Sequence, residues 1–238
     1  MASPLTQLTA VILTRNEARH IAQCIDSLRW ADRVIVFDSL SDDDTVALAR
    51  AAGAEIFQRP FDNYAAQRNA ALDAAARSGD GEQWVFFVDA DERGTPELGD
   101  EIRRVIAERP ENGWNVPRHN YIFDRLTLGA GWYPDYQFRL MRLGHARYTR
   151  PVHELGEVDG AVGNLQQPLI HHNYRDPAHF HAKQRFYVEH DAGILKGEGV
   201  RPKPRNYLLQ PLRQFWWRFV TLKGYRDGLH GLRLSLYM

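Results

Sequence analysis

Trp84 to Arg93 reads WVFFVDADER, and two features of it decide what kind of chain this is. Five apolar residues in a row, with no polar alternation, suit a strand buried on both faces. The run then ends in three acids within four positions, Asp89, Asp91 and Glu92. Like charges held so close cost energy unless something positive answers them. The residues on either side say what the strand belongs to.

Upstream, Leu8 to Leu13 (LTAVIL), Arg33 to Phe37 (RVIVF) and Ala54 to Phe57 are short apolar runs of the strand type. Between them the spacing predicts helices, over Glu17 to Leu28 with Ile21, Ile25 and Leu28 on one face, near Asp43 to Ala52, and near Asn63 to Arg77. Thr95-Pro96-Glu97 opens a further helix with its own cap, first-turn proline and first-turn acid, so Asp89 and Asp91 are not needed as caps. This alternation gives an α/β fold with a mainly parallel sheet covered on both faces, and ligands held outside the carboxyl ends of the strands. The residues there are polar: Thr14, Arg15, Asn16 and Glu17 after the first strand, Asp38, Ser39 and Ser41 after the second, Arg59 after the third, Asp89 and Asp91 after the fourth. Ser41 to Asp44 reads equally well as the start of the next helix.

Composition narrows the class. The chain has 238 residues, 44% hydrophobic and 25% charged, enough for a proper core. A single cysteine, Cys24, leaves no internal disulfide, and the N-terminus lacks the basic start and apolar core of a secretory signal, so a cytoplasmic location is expected. No run approaches the roughly 18 apolar residues of a membrane-spanning helix. Charge sums to zero but is uneven. From Arg205 onward six Lys or Arg accompany one acid, Asp227, a basic tail on an acidic body.

In an extended or gently turning chain residues i and i+2 point the same way, so Asp89 and Asp91 can face one site. Two carboxylates seat a hard divalent cation, Mg²⁺ or Mn²⁺, which completes its shell with water and phosphate oxygens. A phosphate-bearing ligand is implied. The combination VILTRNEARHIAQCIDSL, VIVFDSLSDDDT, QRNAAL and VFFVDADE, spanning roughly the first hundred residues, resembles the inverting family-two glycosyltransferases with the Rossmann-like A-type fold. GWYPDYQFRLMR and RPVHE resemble the branch containing lipopolysaccharide-core glucosyl- and related hexosyltransferases. The resemblance implies nucleotide contacts from Thr14, Asn16 and Glu17, an Asp38 contact to uracil or ribose, and Arg68 and Asn69 flanking the nucleotide. It also implies that Asp89 approaches ribose and metal while Asp91 ligates the metal on the diphosphate. On this reading the acids await a cation.

The resemblance further implies a catalytic domain over 1–204, with a nucleotide-sugar-binding half at 1–117 and an acceptor half at 118–204. Inverting transfer needs a carboxylate to take the acceptor's proton. The acidic pair usual in the family is absent here, and the region offers Glu154, beside His153 as metal ligand or acceptor contact, or Asp135 within WYPD. Trp132 is read either as an acceptor-binding ring or as core. Arg139 and Arg142, three apart, face opposite sides if their segment is a strand. Seven of the ten histidines lie between His145 and His190, which raises a zinc hydrolase, but no His-Glu-x-x-His is present. A sugar-phosphate nucleotidyltransferase would begin with a glycine-rich loop, and LTRNEARH has no glycine. A non-catalytic nucleotide-sugar-binding protein is a further alternative.

The expected donor is a UDP-sugar, UDP-glucose first. The expected acceptor is a lipid-linked saccharide, the lipopolysaccharide inner core ahead of a polyprenyl phosphate; no nucleic acid is expected as a partner. In the 205–238 tail, Phe215, Trp216, Trp217, Phe219 and Leu222 mix with Arg213, Arg218 and Lys223, and Pro211, Gly224, Gly228 and Gly231 punctuate them. Such short helical pieces suit the inner face of the cytoplasmic membrane, as a peripheral contact, or packing onto the protein's own body.

Overall fold

The structure is a computed structural model, described here for residues 6–76, 82–149, 155–201 and 203–238. The order is β1 (Gln7–Thr14), α1 (Ile21–Asp26), β2 (Arg33–Asp38), α2 (Thr45–Ala51), β3 (Glu55–Gln58), α3 (Tyr64–Ala76), β4 (Gln83–Asp89), β5 (Glu92–Arg93), α4 (Pro96–Glu108), β6 (Gly113–Ile122) and β7 (Arg125–Thr127). There follow β8 (Tyr136–Arg142), β9 (Ala146–Thr149), β10 (Leu155–Val158), β11 (Val162–Asn164), β12 (Leu169–Tyr174), α5 (Pro177–Gly197), α6 (Asn206–Trp216) and α7 (Gly228–Tyr237). Two compact units emerge, Met1–Arg118 with Tyr136–Ile170, and His119–Asp135 with His171–Met238. The chain thus leaves the first unit one residue after the expected boundary at 117, but residues 136–170 return to it, because β8 pairs with β4 and with the start of β6.

In the first unit β3, β2, β1 and β4 lie side by side and parallel, and β8 then runs antiparallel to β4. The WVFFV run explains itself in this frame. Trp84, Phe86 and Val88 pack with Ile21, Ile25, Leu28, Leu98 and Ile102 of the helical layer on one face. Val85 and Phe87 pack with Ala71, Leu72 and Ala75 of α3 on the other. All five are buried, and each such side chain contributes about 2 kcal/mol relative to exposure. Thr95 caps α4 as expected, accepting the Leu98 N–H at 3.2 Å. Helix α1 is shorter than the apolar spacing predicts, because Glu17 to His20 form a turn.

That turn is held from outside. The N–H groups of Asn16, Glu17 and Ala18 donate to Ser41 Oγ (2.8 Å), Thr45 Oγ1 (2.7 Å) and Asp43 Oδ2 (3.2 Å). In return Asn16 Oδ1 accepts the Asp42 N–H at 3.0 Å. Asn16 sits in the left-handed region at φ 58, which asparagine tolerates better than most residues. The loop after β2 thus begins α2 and also fixes the loop after β1.

The second unit has its own small core of Ile122, Tyr174, Phe180 and Leu234. Helix α5 starts on Asp176, which accepts the His179 N–H at 2.8 Å, with Pro177 at the first helical position. The tail is therefore not one body. Helix α7 buries Leu234, whereas α6 has no buried residue and continues through Pro211. The chain breaks instead at Lys223 and Gly228, both at positive φ. Gly231 lies within α7, where the Gly224 carbonyl occupies the place of a side chain.

Candidate functional site

The carboxyl ends of β1, β2 and β4 open on a pocket of about 360 Å³ lined by Leu13, Thr14, Arg15, Glu17, Ser39, Phe61, Tyr64, Gln67, Arg68, Asp89, Ala90 and Asp91. Its volume falls in the range of small-molecule sites. Five of the expected residues, Thr14, Glu17, Arg68, Asp89 and Asp91, meet here. Thr14 donates to Asp38 Oδ1 at 3.1 Å, and the Arg68 guanidinium lies over the rings of Phe87 at 5.1 Å and Tyr148 at 5.2 Å, an arrangement that holds a cation flat against the wall.

Several of the expected residues are engaged by the protein itself. Asp38 is fully buried, and four protein donors reach its carboxylate: Thr14 Oγ1, the N–H and hydroxyl of Ser41, and Gln58 Nε2 at 2.9 Å. A carboxylate has about four acceptor positions, and these four donors fill them. Burial acts to raise the Asp38 carboxyl, but the Ser41, Gln58 and Thr14 hydrogen bonds outweigh it and hold it below the ordinary aspartate value. Asn69 is likewise engaged: it donates to the Tyr148 carbonyl at 2.8 Å and accepts the Tyr148 N–H at 2.9 Å, fastening α3 to β9. Asn16 is exposed and serves the loop lacing described above.

The acids are engaged as well. Arg139 of β8, almost fully buried, reaches both oxygens of Asp89 with its guanidinium fork and donates to Glu92 Oε1 at 2.8 Å. Glu92 has no exposure, accepts the Asp89 N–H at 2.9 Å and also pairs with Arg118 at 3.4 Å. Desolvation acts to raise the Asp89 carboxyl, but Arg139 overrides it and depresses it far below the carboxylate range. Arg139 thus answers both Asp89 and Glu92. Arg142 points elsewhere and pairs with Glu82 at 2.6 Å, as two positions of opposite parity on a strand require.

Asp89 and Asp91 bring hard carboxylate oxygens to the pocket wall, those of Asp89 already shared with Arg139. A hard cation that takes one or two protein carboxylates and draws the rest of its shell from water and phosphate fits this set. Among the described residues no group of three His, Cys, Asp or Glu could hold a metal, so the described histidines assemble no zinc centre.

His153 and Glu154 lie outside the described residues, on the connection from β9 to β10. Trp132 and Asp135 belong to the second unit. Trp132 is half-buried, with its ring edge against Tyr174 at 6.0 Å, and packs on that unit's core; the exposed ring of its loop is Tyr133. Asp135 accepts from Asn120 Nδ2 at 3.2 Å, and the buried Asn120 also contacts His171 Nδ1 at 2.7 Å. Sequence reading missed Phe61, Tyr64 and Gln67. The only signal was that Phe61 stands just ahead of α3 and Tyr64 opens it, where ring direction cannot be read from spacing.

Residues 9–144 match the sequence profile described as Glycosyl transferase family 2. The chain is 32% identical to the lipopolysaccharide core biosynthesis glycosyltransferase LpsC of Rhizobium meliloti, over 96% of this chain and 86% of that protein. It is 36% identical to an uncharacterized glycosyltransferase of Rickettsia bellii, over 92% of this chain and 77% of that one. Among solved structures it is similar to glucosyl-3-phosphoglycerate synthase of Mycobacterium tuberculosis in complex with Mn²⁺, UDP and glucosyl-3-phosphoglycerate, with TM-score 0.40 and 23% identity over 46% of this chain and 43% of that one.

Proposed function

Because the chain belongs to glycosyl transferase family 2 and is a glycosyltransferase, we propose that it moves a hexose, glucose from UDP-glucose, with inversion onto a lipid-linked saccharide of the lipopolysaccharide inner core. The observation that carries this reading is the pocket, where Asp91, Arg68 and Glu17 meet at the strand ends of a parallel sheet. Kinship over nearly the whole chain to a lipopolysaccharide core glycosyltransferase supports the choice of acceptor. Purified protein given UDP-glucose, Mn²⁺ and inner-core saccharide should yield an acceptor heavier by one hexose. No mass gain with any nucleotide hexose would sink the reading.

Asp91 would hold the Mg²⁺ or Mn²⁺ ion, with Asp89 beside it. Such an ion offsets the charge that develops on the departing nucleoside diphosphate. Arg68 adds a second positive group to the pocket wall. Thr14 and Glu17 contact the nucleotide, while Asp38, Asn69 and Asn16 act one step removed, as positioning residues that keep the loops and α3 in place.

Glu154 takes the proton from the acceptor hydroxyl, with His153 next to it. Support comes from the described end of its connection, since Tyr148 of β9 lies against the pocket-lining Arg68. Glu154→Gln keeps size but cannot accept the proton, so transfer should fall about 10²-fold or more with donor affinity preserved. Should Asp135→Asn be the inactive variant and Glu154→Gln the active one, the base lies in the loop that carries Trp132 and Tyr133, where Asn120 already orients a carboxylate.

Contact with the inner face of the cytoplasmic membrane falls to α6. Its glutamines Gln210 and Gln214 are half-buried, whereas Leu208, Leu209, Leu212 and Trp216 are 60% or more exposed. Arg205 and Arg213 are exposed on the same helix, and the tail's one acid, Asp227, is occupied by the N–H groups of Leu128 and Gly129. Among the described residues no helix is long and apolar enough to cross a membrane. An apolar face with flanking cations suits an anionic lipid surface. The protein should float with anionic liposomes at low salt and be released as salt screens the charges. Replacing Leu208, Leu212 and Trp216 together by serine should abolish flotation, and flotation that survives the triple change would place the contact elsewhere.

A further inference from the structure

We propose that Phe61 and Tyr64 form an aromatic wall that packs on the base of the donor nucleotide; this rests on the nucleotide-sugar reading above and assigns two residues that it leaves without a role. The pocket lining is otherwise polar or charged apart from Leu13 and Ala90. The two rings meet edge to face at 5.0 Å and are 41% and 58% exposed. Trp84, Phe86, Phe87 and Tyr148 of the same unit are buried by contrast. An exposed pair of rings at a pocket gains most by covering a flat, weakly hydrated partner.

The rings are also presented on a stiff support. The Arg59 N–H donates to the Asp38 carbonyl at 3.1 Å, and its guanidinium reaches the Ala66 carbonyl at 3.2 Å and the Asp62 carboxylate. Asn63 caps α3 by accepting the Ala66 N–H at 2.8 Å, and Gln67 donates to Ser39 at 3.0 Å. The nine residues from Arg59 to Gln67 carry both rings and all of these fastenings, so little ordering remains to be done when a ligand arrives. The charged lining, Arg15, Arg68, Asp89 and Asp91, suits a diphosphate and its cation. What remains for the rings is the uncharged, planar end of the same molecule.

Calorimetric titrations of UDP, UDP-glucose and inorganic pyrophosphate, all with Mg²⁺, test the wall. Phe61→Ala and Tyr64→Ala should each weaken UDP and UDP-glucose about tenfold and leave pyrophosphate unchanged. Tyr64→Phe should bind as the parent does, and Tyr64→Leu, which keeps bulk but loses the ring face, should bind as Tyr64→Ala does. UDP affinity unchanged in both alanine variants overturns the proposal. Weakening confined to UDP-glucose also overturns it, since the rings would then serve the hexose, as does equal weakening of pyrophosphate, which would mean loss of the pocket's shape. A parent protein that binds no UDP at all removes the donor reading itself, and is told apart from these outcomes by the first titration.

Discussion

Asp91→Asn is expected to lower glycosyl transfer about a thousandfold while leaving the thermal midpoint near that of the parent. The side chain keeps its shape but loses the charge that would hold a divalent cation against the leaving diphosphate, and Lewis-acid stabilisation of that kind is worth several kcal/mol in the transition state. Asp89 cannot stand in, because Arg139 already occupies both of its oxygens. A chelator should silence the parent protein to the same degree. The binding readout is separate: in the variant, Mn²⁺ should no longer tighten UDP. Undiminished turnover in both the variant and the chelated parent would remove the cation from the account.

Arg139→Met is the change expected to cost most in folding. It leaves Glu92, which has no exposure, and the half-buried Asp89 without their shared cation. Breaking one side of such a buried pair costs about 3–5 kcal/mol, with Glu92 contributing more than Asp89, whose field water partly screens. That corresponds to about 10 °C in the midpoint for a chain of this size. The pH dependence carries the sign. In the parent, Arg139 depresses the Asp89 carboxyl, so its contribution is complete above the ordinary value of 3.8 and fades as pH falls below it. In the variant Asp89 loses the guanidinium that depresses it and is harder to ionise, so its penalty is full at neutral pH and is relieved as acid protonates it. The two stability curves should converge toward pH 4. Urea midpoints measured from pH 4 to 8 decide it, and a constant gap across that range would show that Arg139 matters through packing alone.

These two predictions mark what could and could not be read from residue order. The four parallel strands were legible because a run such as WVFFV has few other uses, and its split between two cores follows from a period of two. The pocket was legible as a place, since strand ends in such sheets gather ligand contacts. Individual roles were less so. The cation that answers Asp89 and Glu92 lies 50 and 47 positions away, on a strand whose pairing with β4 cannot be inferred from local spacing. Asn69 finds its partner 79 positions downstream. Asp38 was placed at the nucleotide by resemblance alone, and that Gln58 and Ser41 donate to it could not be read from residue order. The tail divided where a uniform mixture of rings and cations gave no hint, α7 tucking Leu234 inward while α6 kept its leucines outside.

The lacing of the two loops has a consequence for how anions are met. In many strand-loop-helix folds the first loop offers a cradle of backbone amides to a phosphate, a grip that depends little on side-chain charge. Here the amides of Asn16, Glu17 and Ala18 are already spent on Ser41, Thr45 and Asp43. On the proposed reading, a diphosphate entering this site would be held by guanidinium groups and a cation. Its retention will therefore vary with ionic strength and free metal far more than in an amide-cradled site, which ties turnover to the ionic composition of the surrounding fluid.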